Sequence, residues 1–175
     1  MELFKKVLVI STISLLILMG CNTTKSIIMS SEHPIKENII EMKGFFCREY
    51  KPNVYEIIFL YKNSVLLNIG SCSMCEGKTV NEIVENQLEM LDNLKERKDY
   101  WGAFSIRDYR IHLKKYFPIG WGSYSVKESS GIVIDKETIK ITHINGEKLE
   151  KSRVYQFYPY SPKPDSTNQF IKGLE

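Results

Sequence analysis

The chain has 175 residues, with 24 Lys+Arg against 21 Asp+Glu and 43% hydrophobic residues. A charge balance this close to neutral leaves no electrostatic footprint for nucleic acid, and the basic groups at Lys95, Arg97 and Lys98, and at Lys114 and Lys115, are short runs of the kind a solvated face carries. No nucleic-acid partner is expected, and the length suits one core rather than several.

Lys5 and Lys6 precede Val7 to Met19, a run of 13 residues broken only by Ser11, Thr12 and Ser14. A helix that crosses a bilayer needs about 20 apolar residues. This run ends early on Gly20 with no basic stop-transfer cluster after it, so residues 1–20 read as a signal peptide. Leu18-Met19-Gly20-Cys21 resembles the lipobox of bacterial lipoproteins. The resemblance implies cleavage before Cys21, attachment of fatty acyl chains such as palmitate to its thiol, and usually acylation of the new amine. Two or more chains anchor stably where one holds only marginally. A lipid-anchored protein of the bacterial cell envelope is implied, held to the membrane through its N-terminal lipid. Asn22 stands where Asp favours inner-membrane retention in some bacteria, which favours the outer membrane.

Removing residues 1–20 leaves 155 residues, with 22 basic against 20 acidic groups. Residues 21–37 then comprise the acylated Cys and a flexible tether, polar and rich in Ser and Thr. As a coil the 16 residues after Cys21 span roughly 20 Å. A single β-rich domain is predicted over residues 38–158. Strands are expected at Gly44–Tyr50, Val54–Tyr61 and Val65–Ser71, forming a meander of short runs rich in Tyr, Phe, Ile and Val separated by turn residues. Residues 79–98 read as the one helix: Val80, Ile83, Val84, Leu88, Leu91 and Leu94 make a single apolar stripe, and Thr79 with Glu82 make a capping box. Strands resume at Trp101–Arg107, Tyr109–Phe117, Gly122–Lys127, Gly131–Ile134, Thr138–Ile144 and Arg153–Tyr158, the loop after Asn145-Gly146 exceeding two residues. Pro159, Pro162 and Pro164 exclude a sheet interior, so residues 159–175 are expected to form an extended, accessible Pro-rich tail.

Eight or nine short strands with one amphipathic helix after the third predict a mainly β protein, an antiparallel meander closing into a barrel or a strongly curled sheet, since closure removes exposed edges. The stretch Trp-Gly-x-Phe-x-Ile-x-Asp-x-x-Ile from Trp101 resembles the strand pairs of bacterial lipocalin-like domains, which implies a lipocalin-like barrel.

Chemistry is harder to find. With Cys21 acylated, Cys47, Cys72 and Cys75 remain. Cys72-Ser73-Met74-Cys75 lacks the βαβ context of a redox pair, lacks a following His for haem attachment, and has no second half for a zinc site, although Cys47 with His112 or His143 would be the residues to recruit. Cys72 and Cys75 are candidates for a loop disulfide, and neither metal nor cofactor is implied. His33, His112 and His143 are scattered. No G-x-S-x-G, S-x-x-K, H-E-x-x-H or glycine-rich phosphate loop occurs. An enzyme would have to gather groups such as Arg107, Asp108 and His112 in a cleft, and no catalytic residue is assigned.

Ten Tyr, eight Phe and two Trp offer flat amphipathic contact area. Trp101, Phe104 and Trp121 are the candidates for lining a ligand chamber, Trp121 at a barrel mouth. The lipobox, Gly44-Phe45-Phe46, Arg48-Glu49-Tyr50, Phe59-Leu60-Tyr61-Lys62, Trp101-Gly102, Phe104, Tyr116-Phe117-Pro118 and Ser161-Pro162-Lys163-Pro164-Asp165-Ser166-Thr167-Asn168 together resemble a family of short uncharacterised lipoproteins of Bacteroidota. The resemblance implies an address and no activity. Asp165-Ser166-Thr167 also resembles the O-glycosylation pattern of such bacteria, which makes Ser166 a candidate. The expected function is that of a non-enzymatic envelope lipoprotein binding a small apolar ligand, or of a subunit contributing a surface to an envelope assembly.

Overall fold

A computed structural model describes residues 39–72, 77–91 and 93–171. Eight antiparallel strands form a closed barrel in which each strand pairs with the next and the last returns to the first. They are β1 (Gly44–Lys51), β2 (Val54–Leu60), β3 (Val65–Cys72), β4 (Trp101–Arg107), β5 (Arg110–Gly120), β6 (Ser123–Asp135), β7 (Thr138–Ile144) and β8 (Glu147–Pro159). One helix, α1 (Val80–Glu89), and two single 3-10 turns, Leu94–Glu96 and Lys98–Tyr100, bridge β3 to β4. Among the described residues no helix is long and apolar enough to cross a membrane.

Side chains alternate across a strand, so a closed barrel sorts its sequence into an inner and an outer set. The inner set draws on every strand: Phe46, Ile58, Leu60, Leu66, Phe104, Ile106, Ile111, Leu113, Val133, Ile139, Ile141 and Tyr155 are all buried together. The other parity of β1 to β5 forms a second core outside the wall, with Phe45, Cys47, Ile57, Phe59, Val65, Leu67, Ile69, Trp101, Ala103 and Tyr116. This outer core is sealed by Ile83 and Val84 of α1 and by Ile171 near the C-terminus. Both faces of that wall are thus apolar, which explains why β1 to β3 read as nearly continuous hydrophobic runs.

Closure depends on close backbone approach at the β1–β8 seam, where Phe45 opposes Tyr158 and Cys47 opposes Gln156. A Cβ on Gly44 would overlap the carbonyl of Tyr158. Gly131 plays the same part inside β6, against the carbonyl of Lys140. The expected break between Gly122–Lys127 and Gly131–Ile134 is therefore not a turn: β6 runs through it as one 13-residue strand with a register shift at Ser130/Gly131, and the barrel has eight strands.

The capping box forms as expected, with the Glu82 amide donating to Thr79 Oγ1 at 3.3 Å and the Thr79 amide donating to Glu82 Oε2 at 2.7 Å. The helix, however, stops at Glu89 rather than Lys98. Its apolar stripe outlives it: Leu91 and Leu94, beyond the helical residues, still pack on the outer core, held by packing rather than by α-helical bonding. The β7–β8 turn is also shorter than expected. Ile144 pairs with Glu147, and Asn145 (φ 50°) and Gly146 (φ 83°) make the two-residue turn that favours left-handed backbone.

Residues from Tyr160 to Phe170 carry neither helix nor strand and lie against the barrel as a strap. Tyr160 and Phe170 pack on the outer core. Tyr61 Oη donates to the Pro164 carbonyl at 2.9 Å, and Lys163 Nζ donates to the carbonyls of Met42 and Leu60, both at 2.7 Å. Lys163 Nζ also lies 4.2 Å from the centroid of the Tyr61 ring.

Candidate binding site at the open end of the barrel

The two ends of the barrel differ in chemistry. At one end lie the β2–β3, β4–β5 and β6–β7 turns, and there the lumen is filled by Leu60, Phe104, Ile106, Ile111, Val133 and Ile139 and plugged by Ile40. The chain enters at this end, where the Glu41 amide donates to the Lys136 carbonyl at 2.8 Å. The opposite end is polar. Its inner wall carries Arg48 and Glu56 from β1 and β2, Asn68 from β3, Lys115 from β5, Lys127 and Ser129 from β6, and Arg153 and Tyr155 from β8.

The strands differ in length at this end. β3 and β4 share only three paired positions, Val65 with Ala103, Leu66 with Gly102 and Leu67 with Trp101. Beyond them β3 continues to Cys72 and β5 to Gly120, but β4 begins only at Trp101. Where β4 is missing, the 3-10 turn Lys98–Tyr100 lies against both β3 and β5, and the lumen at this end holds a cavity lined by Glu56, Ile58, Leu66, Asn68, Leu113, Lys115, Lys127, Ser129, Ile141, Arg153 and Tyr155. Its volume, about 30 Å³, holds on the order of two waters or one small oxyanion. That is far below the several hundred Å³ of a chamber that engulfs a whole ligand.

The charges are unevenly matched. Arg48 and Glu56 form an ion pair at 2.8 Å with both side chains largely buried. Burial alone pushes the Glu56 carboxyl up, but Lys115 and Arg48, with hydrogen bonds from Tyr155 and Arg48, outweigh it and hold Glu56 below the usual carboxylate range. Burial pushes the Tyr155 phenol up, and the Glu56 charge adds to that. Lys115 is pulled below the usual lysine range, first by burial; Glu56 opposes this, while Lys127 and Arg153 drive it further down. Lys115 and Lys127 stand directly opposite each other in the β5–β6 register, an arrangement of like charges that destabilises a sheet. Among the described residues no carboxylate lies within ion-pair distance of Lys115, Lys127 or Arg153. Glu56, ion-paired with Arg48 and also felt by Lys115, is the one carboxylate lining the cavity, so four cations, Arg48, Lys115, Lys127 and Arg153, share a single negative charge.

Past the cavity, β5 and β6 run on as a two-stranded arm. Phe117, Ile119 and Trp121 are exposed along it, Trp121 completely. Lys127 Nζ lies 5.5 Å from the Phe117 ring centroid, so the inner face of the arm continues the line of Leu113 and Lys115. Trp121 occupies the two-residue turn with Gly122, at φ 50°, a left-handed position that a bulky side chain rarely takes.

The sequence-derived candidates fall elsewhere. Trp101 points out of the barrel into the outer core, where its Nε1 donates to the Leu94 carbonyl at 2.8 Å. Phe104 helps fill the closed end of the lumen. Neither lines the cavity, because an alternating strand sends Trp101 outward and Phe104 to the plugged end. Trp121 is at the open end but at the tip of the arm, not in the wall. Ser166 lies half-buried in the strap, its Oγ accepting from Asn63 Nδ2 at 3.3 Å. Cys47 is buried in the outer core, where burial and then the charges of Glu49 and Glu56 push its thiol up to about 12. Cys72 ends β3, while Cys75 and Cys21 lie outside the described residues, as does His33. Arg107, Asp108 and His112 are exposed on the β4–β5 hairpin and form no cleft.

What sequence reading missed is the cationic set. Lys115 counted there as part of a short basic run on a solvated face; its place on the same alternation as Ile111 and Leu113 was the signal for an inward-facing charge. No protein-family model, no curated protein and no solved structure matches the chain, so the functional reading rests on this geometry and on the sequence motifs.

Proposed function

We propose that the protein is a non-enzymatic lipoprotein of the bacterial cell envelope, anchored by acyl chains on Cys21, with outer membrane as the favoured address, whose barrel binds a small ligand at its open end. The observation that carries the reading is the asymmetry of the lumen: one end is filled and plugged, the other holds a cavity lined by charged and apolar groups. The lipobox supports the anchor. The ligand engages the rim of the barrel rather than vanishing into it, because the lumen has no room for a purely apolar molecule. The chain enters at the plugged end, so a tether leading back to Cys21 holds the open end away from the lipid surface.

Cys21→Ser tests the anchor. The expected result is loss of acylation and release from the membrane fraction; a variant that stays acylated and membrane-bound overturns this half of the reading. A second reading, a subunit of an envelope assembly, draws on the exposed Phe117, Ile119 and Trp121 of the arm. It predicts co-purification of a protein partner that Trp121→Ser abolishes.

A further inference from the structure

Lys115, Lys127 and Arg153 line a cavity of oxyanion size together with a single carboxylate, Glu56, which is already ion-paired with Arg48, so the wall carries an excess of positive charge. A fold that only needed a filled barrel would place apolar residues here, as it does at the other end. Two lysines directly opposed on an inward face, joined by an arginine from another strand, are unfavourable to the empty protein and favourable to a multiply charged anion, to which each contributes charge-assisted hydrogen bonds. Asn68, Ser129 and Tyr155 add polar groups to the same wall. Immediately outward, the same face turns apolar at Phe117 and Ile119, and the arm ends in a wholly exposed Trp121 on strained backbone.

We propose that the open end of the barrel is a site for a phosphate-bearing amphiphile, its phosphate held by Lys115, Lys127 and Arg153 and its apolar portion lying along the inner face of the β5–β6 arm. This rests on the reading of the open end as a ligand site and names the ligand's chemistry. The phosphate belongs either to a lipid headgroup or to a free phosphorylated molecule, and both use the same three cations.

The test is a titration of the full-length protein in a non-ionic detergent at low salt, following thermal unfolding and tryptophan emission. The probes are inorganic phosphate, dihexanoyl phosphatidic acid and the neutral dihexanoylglycerol. Saturable stabilisation by phosphate is expected. Lys115→Met and Arg153→Met should each weaken it by about tenfold, and Lys114→Met, on the outer face of the same strand, should leave it unchanged. The ligand-free Lys115→Met protein should unfold at the same or a higher temperature, since it loses a like-charge repulsion; Lys127→Met repeats the test should Lys115→Met fail to fold.

Tighter binding of phosphatidic acid than of phosphate, with a blue shift that Trp121→Ser removes, supports the arm's role and a lipid source. Equal binding of the two supports a free phosphorylated molecule and overturns the role of the arm. Binding of dihexanoylglycerol as tightly as phosphatidic acid keeps the open end as a ligand site but overturns the phosphate chemistry. Undiminished phosphate affinity in both Lys115→Met and Arg153→Met also overturns it. Absence of binding by all three probes overturns this proposal and the ligand-site reading beneath it.

Discussion

Arg48 and Glu56 illustrate how much a single pair matters where water is scarce. Their ion pair lies inside the barrel wall, so removing one partner strands a buried charge, whereas replacing both with apolar groups is often neutral or better. Arg48→Met is expected to cost about 3 kcal/mol or more, and Arg48→Met with Glu56→Met should recover most of it in a urea-unfolding series. If the double variant is no more stable than the single one, the pair acts through more than its charge. Glu56 also sets a pH response: its folded pKa is depressed, so its contribution is present above the unfolded carboxylate value of about 4.3 and is lost as pH falls through the folded value.

Asp165 does the same for the strap. Its carboxyl is held down at about 2 by a hydrogen bond from Lys95 and then by the backbone and hydroxyl of Thr167. An unfolded Asp titrates near 3.9, so the stabilisation is present above about pH 4 and is lost as pH falls towards 2. Hydrogen exchange across residues 159–171 should quicken in that window, and Asp165→Asn should remove the pH dependence. Lys163 works in the opposite sense. Burial pulls its ammonium to about 8, below the unfolded value of about 10.4, so the cost of holding it charged is full below pH 8 and eases as pH rises towards 10.4. A strap whose exchange slows from pH 8 to 10, after correction for intrinsic rates, would fit; one that only loosens would not.

Among the elements, the helix and the strap cover one outer wall. Thr79→Ala removes the Ncap side chain and is expected to cost about 1 kcal/mol. Ile171→Ala exposes the outer core and should cost about 2 to 5 kcal/mol, measurable as a shift in denaturation midpoint with an unchanged slope. Much of this level was legible from sequence. Strand parity, the capping box and the apolar stripe of α1 follow from local periodicity, and the structure bears them out. What periodicity does not contain is where a helix gives way to packing alone, as at Met90, which is 78% exposed, or whether a glycine ends a strand or permits close approach within it, as at Gly131. Those outcomes depend on neighbours distant in sequence. The strap was misread as a free tail for the same reason: prolines exclude a sheet, but they do not reveal that Tyr61, 103 residues away, bonds to Pro164.

For the whole molecule, closure is the decisive event. Gly44→Val should prevent the β1–β8 seam from zipping, with a large loss of stability or failure to fold, seen as loss of the cooperative β transition by circular dichroism. Closure also creates the distinction between a plugged end and an open end: Lys115 and Lys127 already oppose each other in the β5–β6 hairpin, but Arg153, on β8, faces them only when the ring forms. The aromatic residues singled out from sequence proved mostly structural, because a barrel of this size consumes its Trp and Phe in packing. The described chain begins at the plugged end, so under the proposed anchor the charged end would face outward.

Native mass spectrometry of the full-length protein, extracted in detergent from its own host, tests the ligand site most directly. A bound anionic mass that leaves on denaturation, and that is absent from Lys115→Met and Arg153→Met prepared in the same way, is the predicted result. A bare protein in repeated preparations, or a bound mass that both variants retain in full, would contradict it.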